Sequence, residues 1–399
     1  MSGSFLETFK ILVLCNEANE AHQTGQYALM EALLVEAARL ADEHADLNTR
    51  ILVHSRLVDA WRMLYKHQEA LTTLTWLIGL GNDPQESAAL IGQTGVLGSL
   101  AMAYAEIVDT ARHLAVMPTV ELHRVLDQGM AFLDNVGQKQ WGHVMRLYRG
   151  MLYEIEGRLP ESRQEFEAAL AMRRREQGIG MNIGTHLNHL GNLLVRMEDY
   201  EAARRCYLEI LEEHNHLAVE RQRATTGMAW LEKGRGNLEA AEQWAREAVE
   251  LAEYMETPST QFFAREALVA TLLSLGYPAE AAQEAPALWL WSRRYGNQRA
   301  RYLMSQRLLE VRLAMARKAL GLNPVWHEPV PEIYPNVDRE ALPRSRRYLA
   351  AAEAWLARAQ EAAGLLDAQA GIDGYLKALD QQAQALQAVR GFLLKTLDS

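Results

Sequence analysis

The stretch LNHLGNLLVRMEDYEAARRCYLEIL, Leu187 to Leu211, decides the fold. Leu187, Leu190 and Leu194 recur at three- and four-residue spacing, a polar break follows, and Ala203, Tyr207 and Ile210 repeat the spacing. Each stripe is the buried face of an amphipathic helix, and the break is a turn between two antiparallel helices. Two helices approach closely only where side chains are small, so Gly191 and Ala203 mark where they cross.

The same sentence recurs along the chain. GRLPESRQEFEAAL (157–170) and GNLEAAEQWAREAVEL (236–251) are two further second helices. The bulky residue after each turn runs Tyr27, His67, Leu159, Tyr200, Leu238, Pro278, in steps of 38 to 41 residues apart from the gap between His67 and Leu159. A mostly small residue follows three positions later (Met30, Ala70, Ser162, Ala203, Ala241, Ala281), and an apolar one seven beyond that. No single pair hides its apolar face alone, so neighbours must stack. Within the long gap Leu122 takes the small-residue slot, which places extra residues in the third repeat. The spacing predicts a long helix there from about Ala88 to Ala115, ended by Pro118, which is either merely a lengthened helix or a protruding contact surface.

Leu190 and Gly191, with Tyr200, Ala203 and Tyr207, resemble the tetratricopeptide repeat, in a variant with repeats of about 40 residues. The resemblance covers about residues 11–300. It implies an all-α, right-handed α-solenoid of about seven helix-pair repeats with a C-terminal helical cap, and a concave groove lined by the first helices. In that family groove asparagines hydrogen-bond an extended backbone and basic residues hold carboxylates. Carried onto this sequence, the groove candidates are Asn19, Asp59, Arg62, Met151, Asn188, Asn192, Arg196, Arg223, Trp230 and Lys233. Asn188 and Asn192 lie four apart on one helical face, and Arg196 and Arg223 are expected near one another across adjacent repeats. Leu147 and Met151 stand where a full carboxylate clamp would need a lysine.

Residues 1–300 therefore form the solenoid and residues 301–342 a helix plus a proline-rich connector, with Pro324, Pro329, Pro331, Pro335 and Pro343 unable to continue a helix. Trp326, Ile333 and Tyr334 suggest that this connector packs on the body. Residues 343–399 form a helical pair, a cap or an oligomerisation segment, whose last helix carries Leu376, Leu379, Leu386, Leu393 and Leu397 at coiled-coil-like spacing. Trp289 and Trp291 flank opposite faces of one helix.

Composition bounds the rest. At 399 residues, with 49% hydrophobic and 23% charged residues, the chain is an ordinary folded protein. A net charge of -10 disfavours nucleic acid as a partner. Cys15 and Cys206 cannot build a disulfide framework, which fits a reducing cytoplasmic compartment, and the arginine- and alanine-rich wording points to a bacterial chain. No apolar run reaches the roughly 18 residues needed to cross a bilayer. No phosphate loop, nucleophile elbow or two-histidine zinc helix occurs; His186 and His189, one turn apart, read as polar groove residues. The expectation is a binding protein without catalysis, metal or cofactor: a scaffold, adaptor or regulatory subunit for another protein or extended peptide, with a possible homo-oligomer through the C-terminal helix. The alternative is a peptide-responsive signalling or transcription regulator that changes conformation.

Overall fold

The second helix of each repeat begins at the anchor residue that the periodicity picks out. The computed structural model describes residues 2–83, 85, 86, 90, 93–175, 183–214, 217–255, 257–296, 298–331, 339–364 and 372–398. Helix pairs run in order as α1 (Ser2–Thr24) with α2 (Tyr27–His44), α3 (Leu47–Met63) with α4 (His67–Asn82), and α5 (Thr94–Leu114) with α6 (Thr119–Asn135). They continue as α7 (Gly142–Ile155) with α8 (Leu159–Arg175), α9 (Ile183–Arg196) with α10 (Tyr200–Glu213), α11 (Ala218–Gly234) with α12 (Leu238–Glu253), and α13 (Pro258–Ser274) with α14 (Pro278–Arg294). Then come α15 (Gln298–Ala319), α16 (Leu342–Gly364) and α17 (Ile372–Asp398).

Backbone conformation fixes the register of these pairs. Two residues before six of the anchors the chain is left-handed, with φ of 77° at Gly25, 61° at Tyr65, 77° at Gly157, 61° at Glu198, 82° at Gly236 and 79° at Gly276. Around Gly25 the Gln26 N–H donates to the Ala21 carbonyl at 2.8 Å and the Gly25 N–H to that of His22 at 3.1 Å. This paired closure satisfies carbonyls that a helix end leaves open, and it favours glycine because a Cβ is strained there. Tyr65 and Glu198 occupy the same slot at a steric cost. The crossings are equally tight: a methyl on Gly150 would lie 2.5 Å from the Phe166 ring, and one on Gly191 2.7 Å from Tyr207.

The third repeat departs from the sequence expectation. Its first helix starts at Thr94, with Gln93 as its N-cap, and spans 21 residues. Of the stretch expected before it, residues 88, 89, 91 and 92 lie outside the described residues, and Leu90 is a turn residue. The helix does not protrude: Leu97, Leu100, Ala101, Tyr104 and Ala111 are fully buried. An apolar run this dense is drawn into a core, so length alone was a poor guide to exposure. Leu122 does fill its slot and is buried.

The chain divides into two compact units: 1–227 with 251–260, and 228–250 with 261–399. In the first, Ile11, Ala18, Tyr27, Leu34, Ala37 and Leu57 begin one continuous core from α1 to α3. In the second, Leu309, Leu313, Leu349, Ala352, Leu386, Val389 and Phe392 join α15, α16 and α17, with Trp326 of the connector packed against them; Ile333 and Tyr334 lie outside the described residues. The apolar seam of α17 is thus used within the chain at Leu379, Leu386 and Leu393. Trp291 stacks on Phe262 with centroids 3.9 Å apart, while Trp289 meets Trp355 of α16 edge-on at 4.8 Å. The exposed side chain between them is Leu290.

Candidate functional site: the first-helix row

The first unit carries a line of charge through its interior, built from successive first helices. On α3, Arg62 donates through Nη1 to Glu106 Oε1 of α5 at 2.8 Å, and through Nη2 to Tyr148 Oη of α7 at 2.9 Å and Asp109 Oδ2 at 3.2 Å. Arg112 donates to the other oxygen of Asp109 at 2.5 Å. Burial acts against the Arg62 charge, but Tyr148, Glu106, Asp109 and Asp59 outweigh it and hold the guanidinium ionised. Burial likewise opposes the Asp109 carboxylate and is overcome by Arg112, His113 and Arg62, which take its pKa well below the usual range. At Glu106 burial prevails over Arg62, helped by the Asp59 carboxyl, and its pKa rises. Two arginines face three carboxyl groups, so a proton kept on Glu106 brings the cluster to balance.

Beside this cluster His67 stacks on His113 with centroids 4.4 Å apart, and burial presses the His67 pKa down to about 3. Tyr65, at the left-handed turn between α3 and α4, hydrogen-bonds Ser259 at the start of α13, and Met255 packs on Gly25. The row therefore closes on itself within the first unit: the turns of repeats one and two touch the entry to repeat seven. Burial, the largest influence, raises the Tyr65 phenol to about 12.

Farther along the row, α9 supplies the cross-links. Asn188 is buried, and its Nδ2 donates to Glu220 Oε2 of α11 at 2.5 Å, while Thr185 Oγ1 donates to Glu220 Oε1 at 2.7 Å. One helical turn on, Asn192 is exposed, and its Oδ1 accepts from the buried Tyr207 hydroxyl at 2.7 Å. That bond takes the amide oxygen and leaves the NH2 of this exposed residue as a donor. Another turn on, Arg196 is exposed and reaches back to Glu154 of α7 at 2.5 Å. Arg223 lies 3.5 Å from Glu220 on its own helix, so each of these two arginines is held by a carboxylate. Asn19 is exposed on α1, Asp59 lies 3.9 Å from Arg62, and Met151 is half-buried on α7.

Trp230 and Lys233 lie in the second unit. Lys233 Nζ is 5.8 Å from the centroid of the Trp230 ring. Arg307 donates to Glu266 at 2.8 Å and also pairs with Glu310, which accepts from Gln382 Nε2 at 2.8 Å. Of the histidines, His186 Nε2 meets His143 Nδ1 at 3.1 Å, and His189 packs on the Phe166 ring. Among the described residues no group of three His, Cys, Asp or Glu is placed to hold a metal ion.

The carboxylates of the row escaped sequence reading. Glu106 and Asp109 stand inside AMAYAEIVDTARHLAV, where a charge amid an apolar run is the signal that could have found them.

The architecture defines an all-α protein of stacked helix pairs, an α-solenoid. The tetratricopeptide repeat family model matches residues 143–212, the α7 to α10 segment, so that segment carries tetratricopeptide repeats. Its fold is similar to a crystal structure of Rap protein complexed with competence and sporulation factor, with TM-score 0.53 and 14% identity over 96% of this chain and 98% of that one. The apo form of RapI is similar with TM-score 0.45 and 12% identity over 98% and 99%. A tetratricopeptide repeat protein from Parabacteroides merdae ATCC 43184 is similar with TM-score 0.34 and 16% identity over 93% and 98%. At 14% identity the likeness to the Rap protein is one of fold. No curated protein matches the chain in sequence. Among the described residues no helix is long and apolar enough to cross a membrane.

Proposed function

We propose that this protein is a cytoplasmic, bacterial binding protein, a scaffold, adaptor or regulatory subunit whose first-helix face in the first unit takes an extended segment of another protein or a peptide. The observation that carries the reading is Asn192: an exposed carboxamide whose orientation is set by a buried phenol, one helical turn before the exposed Arg196. A fixed donor at the surface is what an extended backbone carbonyl needs, and pre-orientation lowers the ordering cost of binding. Asn19, Met151 and Arg223 would extend this face. Asp59, Arg62 and Asn188 would position it from within, because their polar groups are engaged in or beside the buried network. No chemistry forms part of the reading, since the charged groups of the cluster are spent on one another and face no common reacting centre.

The test is affinity capture from host lysate followed by titration of the captured partner against wild type and Asn192→Ala. Loss of one neutral hydrogen bond predicts binding weaker by about 3- to 10-fold, with an unchanged fold by circular dichroism. Equal affinity would move the site off this face.

The closed row favours a second reading, a regulator that changes conformation with its ligand. The Tyr65–Ser259 and Gly25–Met255 contacts give it a specific place where opening and closing would occur, and the similar fold of a Rap protein in complex with a factor supports it. A change needs a ligand that prefers one state. Small-angle scattering with and without the captured ligand separates this from a rigid scaffold.

A further inference from the structure

Arg50, Arg62 and Arg158 each lie on an aromatic ring and are each held by a carboxylate as well. Arg50 sits over Trp76 and pairs with Asp42 at 2.9 Å, Arg62 over Tyr148 and pairs with Glu106 at 2.8 Å, and Arg158 over Tyr153 and pairs with Glu161 at 2.9 Å. Arg358 of α16 is placed differently. Its guanidinium carbon is 4.4 Å from the centroid of the Trp355 ring and 5.9 Å from that of Trp289, and among the described residues it alone lies over two rings. It is exposed, and among the described residues it forms no ion pair within 4.0 Å.

The two indoles come from different elements, Trp289 from α14 and Trp355 from α16. Their centroids lie 4.8 Å apart with the ring planes at 77°, which makes a corner. Both are half-buried and pack against the apolar core of the second unit, so the walls of the corner are fixed while its occupant is a surface side chain. The faces of an indole are electron-rich and attract a cation, and a contact of this kind at an exposed position is weak enough to be exchanged. One helical turn beyond Arg358, Glu361 is exposed and among the described residues has no ion pair within 4.0 Å. Residues three apart share a helix face, so this carboxylate can receive the Arg358 guanidinium once another cation takes the corner.

We propose that the corner of Trp289 and Trp355 binds an arginine side chain of a partner protein, and that Arg358 fills it in the unbound state and moves toward Glu361 when the partner's arginine enters. A guanidinium is the cation that suits the corner, because one already fits there. Its planar, weakly hydrated face lies flat on an indole, whereas a lysine ammonium is compact and holds its water. The net charge of -10 draws a basic partner to the chain. The site is built on α14 and α16 and stands whether or not Asn192 marks a binding face.

The experiment uses the full chain with its nine tryptophans replaced by 5-fluorotryptophan and follows the fluorine signals of positions 289 and 355, assigned with Trp289→Phe and Trp355→Phe. The probes are short peptides, capped at both ends, that differ only at one central residue: arginine, its uncharged isostere citrulline, or lysine. The arginine peptide should shift both signals saturably, the lysine peptide should bind more weakly, and the citrulline peptide should leave both signals in place. Arg358→Gln empties the corner without touching its walls, so the arginine peptide should bind this variant about 2- to 5-fold more tightly than wild type. Trp355→Leu, which keeps apolar volume and removes the ring, should abolish the shift at position 289 with circular dichroism unchanged. Signals at 289 and 355 that stay unmoved by the arginine peptide in both wild type and Arg358→Gln overturn the proposal. So do equal shifts with the citrulline peptide, equal affinity for the lysine peptide, or an affinity that Arg358→Gln leaves unaltered.

Discussion

The interior of the first unit and the C-terminal core of the second are held by different forces. Between α3, α5 and α7, Arg62, Glu106, Asp109 and Tyr148 form a network in which each member depends on its neighbours. Among α15, α16 and α17, Leu313, Leu320, Ala352, Val389 and Phe392 form an apolar cluster, with the smaller Arg307–Glu310–Gln382 group on the same helices. Apolar burial is non-directional and tolerates small shifts, whereas a buried ionic network is specific and fails abruptly once one member is lost. The first unit thus has an interior specified largely by charge, and the end of the second rests mainly on apolar packing.

The sharpest way to break that comparison is Arg62→Met. Removing the guanidinium takes one of the two arginines from Asp109 and leaves the buried Glu106 carboxyl and Tyr148 hydroxyl without their donor, and the expected loss is about 3–5 kcal/mol in the first unit. Hydrogen exchange should show α3, α5 and α7 losing protection while α15 to α17 keep theirs, since two units do not unfold as one. Equal loss in both would mean that the distinction is false.

Acid should separate the two regions next. Burial depresses His67 and His143 to about 3, so in the folded state both are neutral at pH 7, while in the unfolded chain they protonate near 6.5. Their stability contribution is full above pH 6.5 and declines as pH falls from there toward 3, by roughly 2 kcal/mol each at pH 5. Urea titrations at pH 7 and pH 5, followed by exchange at α4 and α7, should show the first unit weakening. Exchange in α15 to α17 should change little.

The smallest effect is local. Glu198 occupies a left-handed turn slot at φ 61°, and Glu198→Gly should stabilise the α9–α10 pair by about 0.5–1 kcal/mol, read as a raised urea midpoint. A lowered midpoint would show that the Glu198 side chain compensates for its backbone.

These regions were unequally legible in the sequence. Helix pairs and their register could be read because Gly191, Ala203 and Tyr207 recur at fixed offsets, and packing rules turn offset into contact. The helix expected before the proline-rich connector is α15, and the pair expected after it is α16 and α17. The charge network could not be read, because it joins Arg62 to residues 44, 47 and 86 positions away, and no period links them. The groove candidates differ among themselves for a related reason. Asn188 and Asn192 share one face in sequence, but only the structure shows Asn188 spent on Glu220 and Asn192 exposed and bonded to Tyr207. At α5 the two readings of a long helix part only in the structure, where the helix is interior.

The left-handed turn has a consequence for how such a chain is written over generations. Register is set at each joint by backbone conformation and two hydrogen bonds, with little demand on the side chains beyond it. A segment of about 40 residues copied or deleted from one joint to the next would still enter its neighbours in phase. A gene built this way can lengthen or shorten by whole units and keep its reading of space, while the residues between joints drift toward new partners.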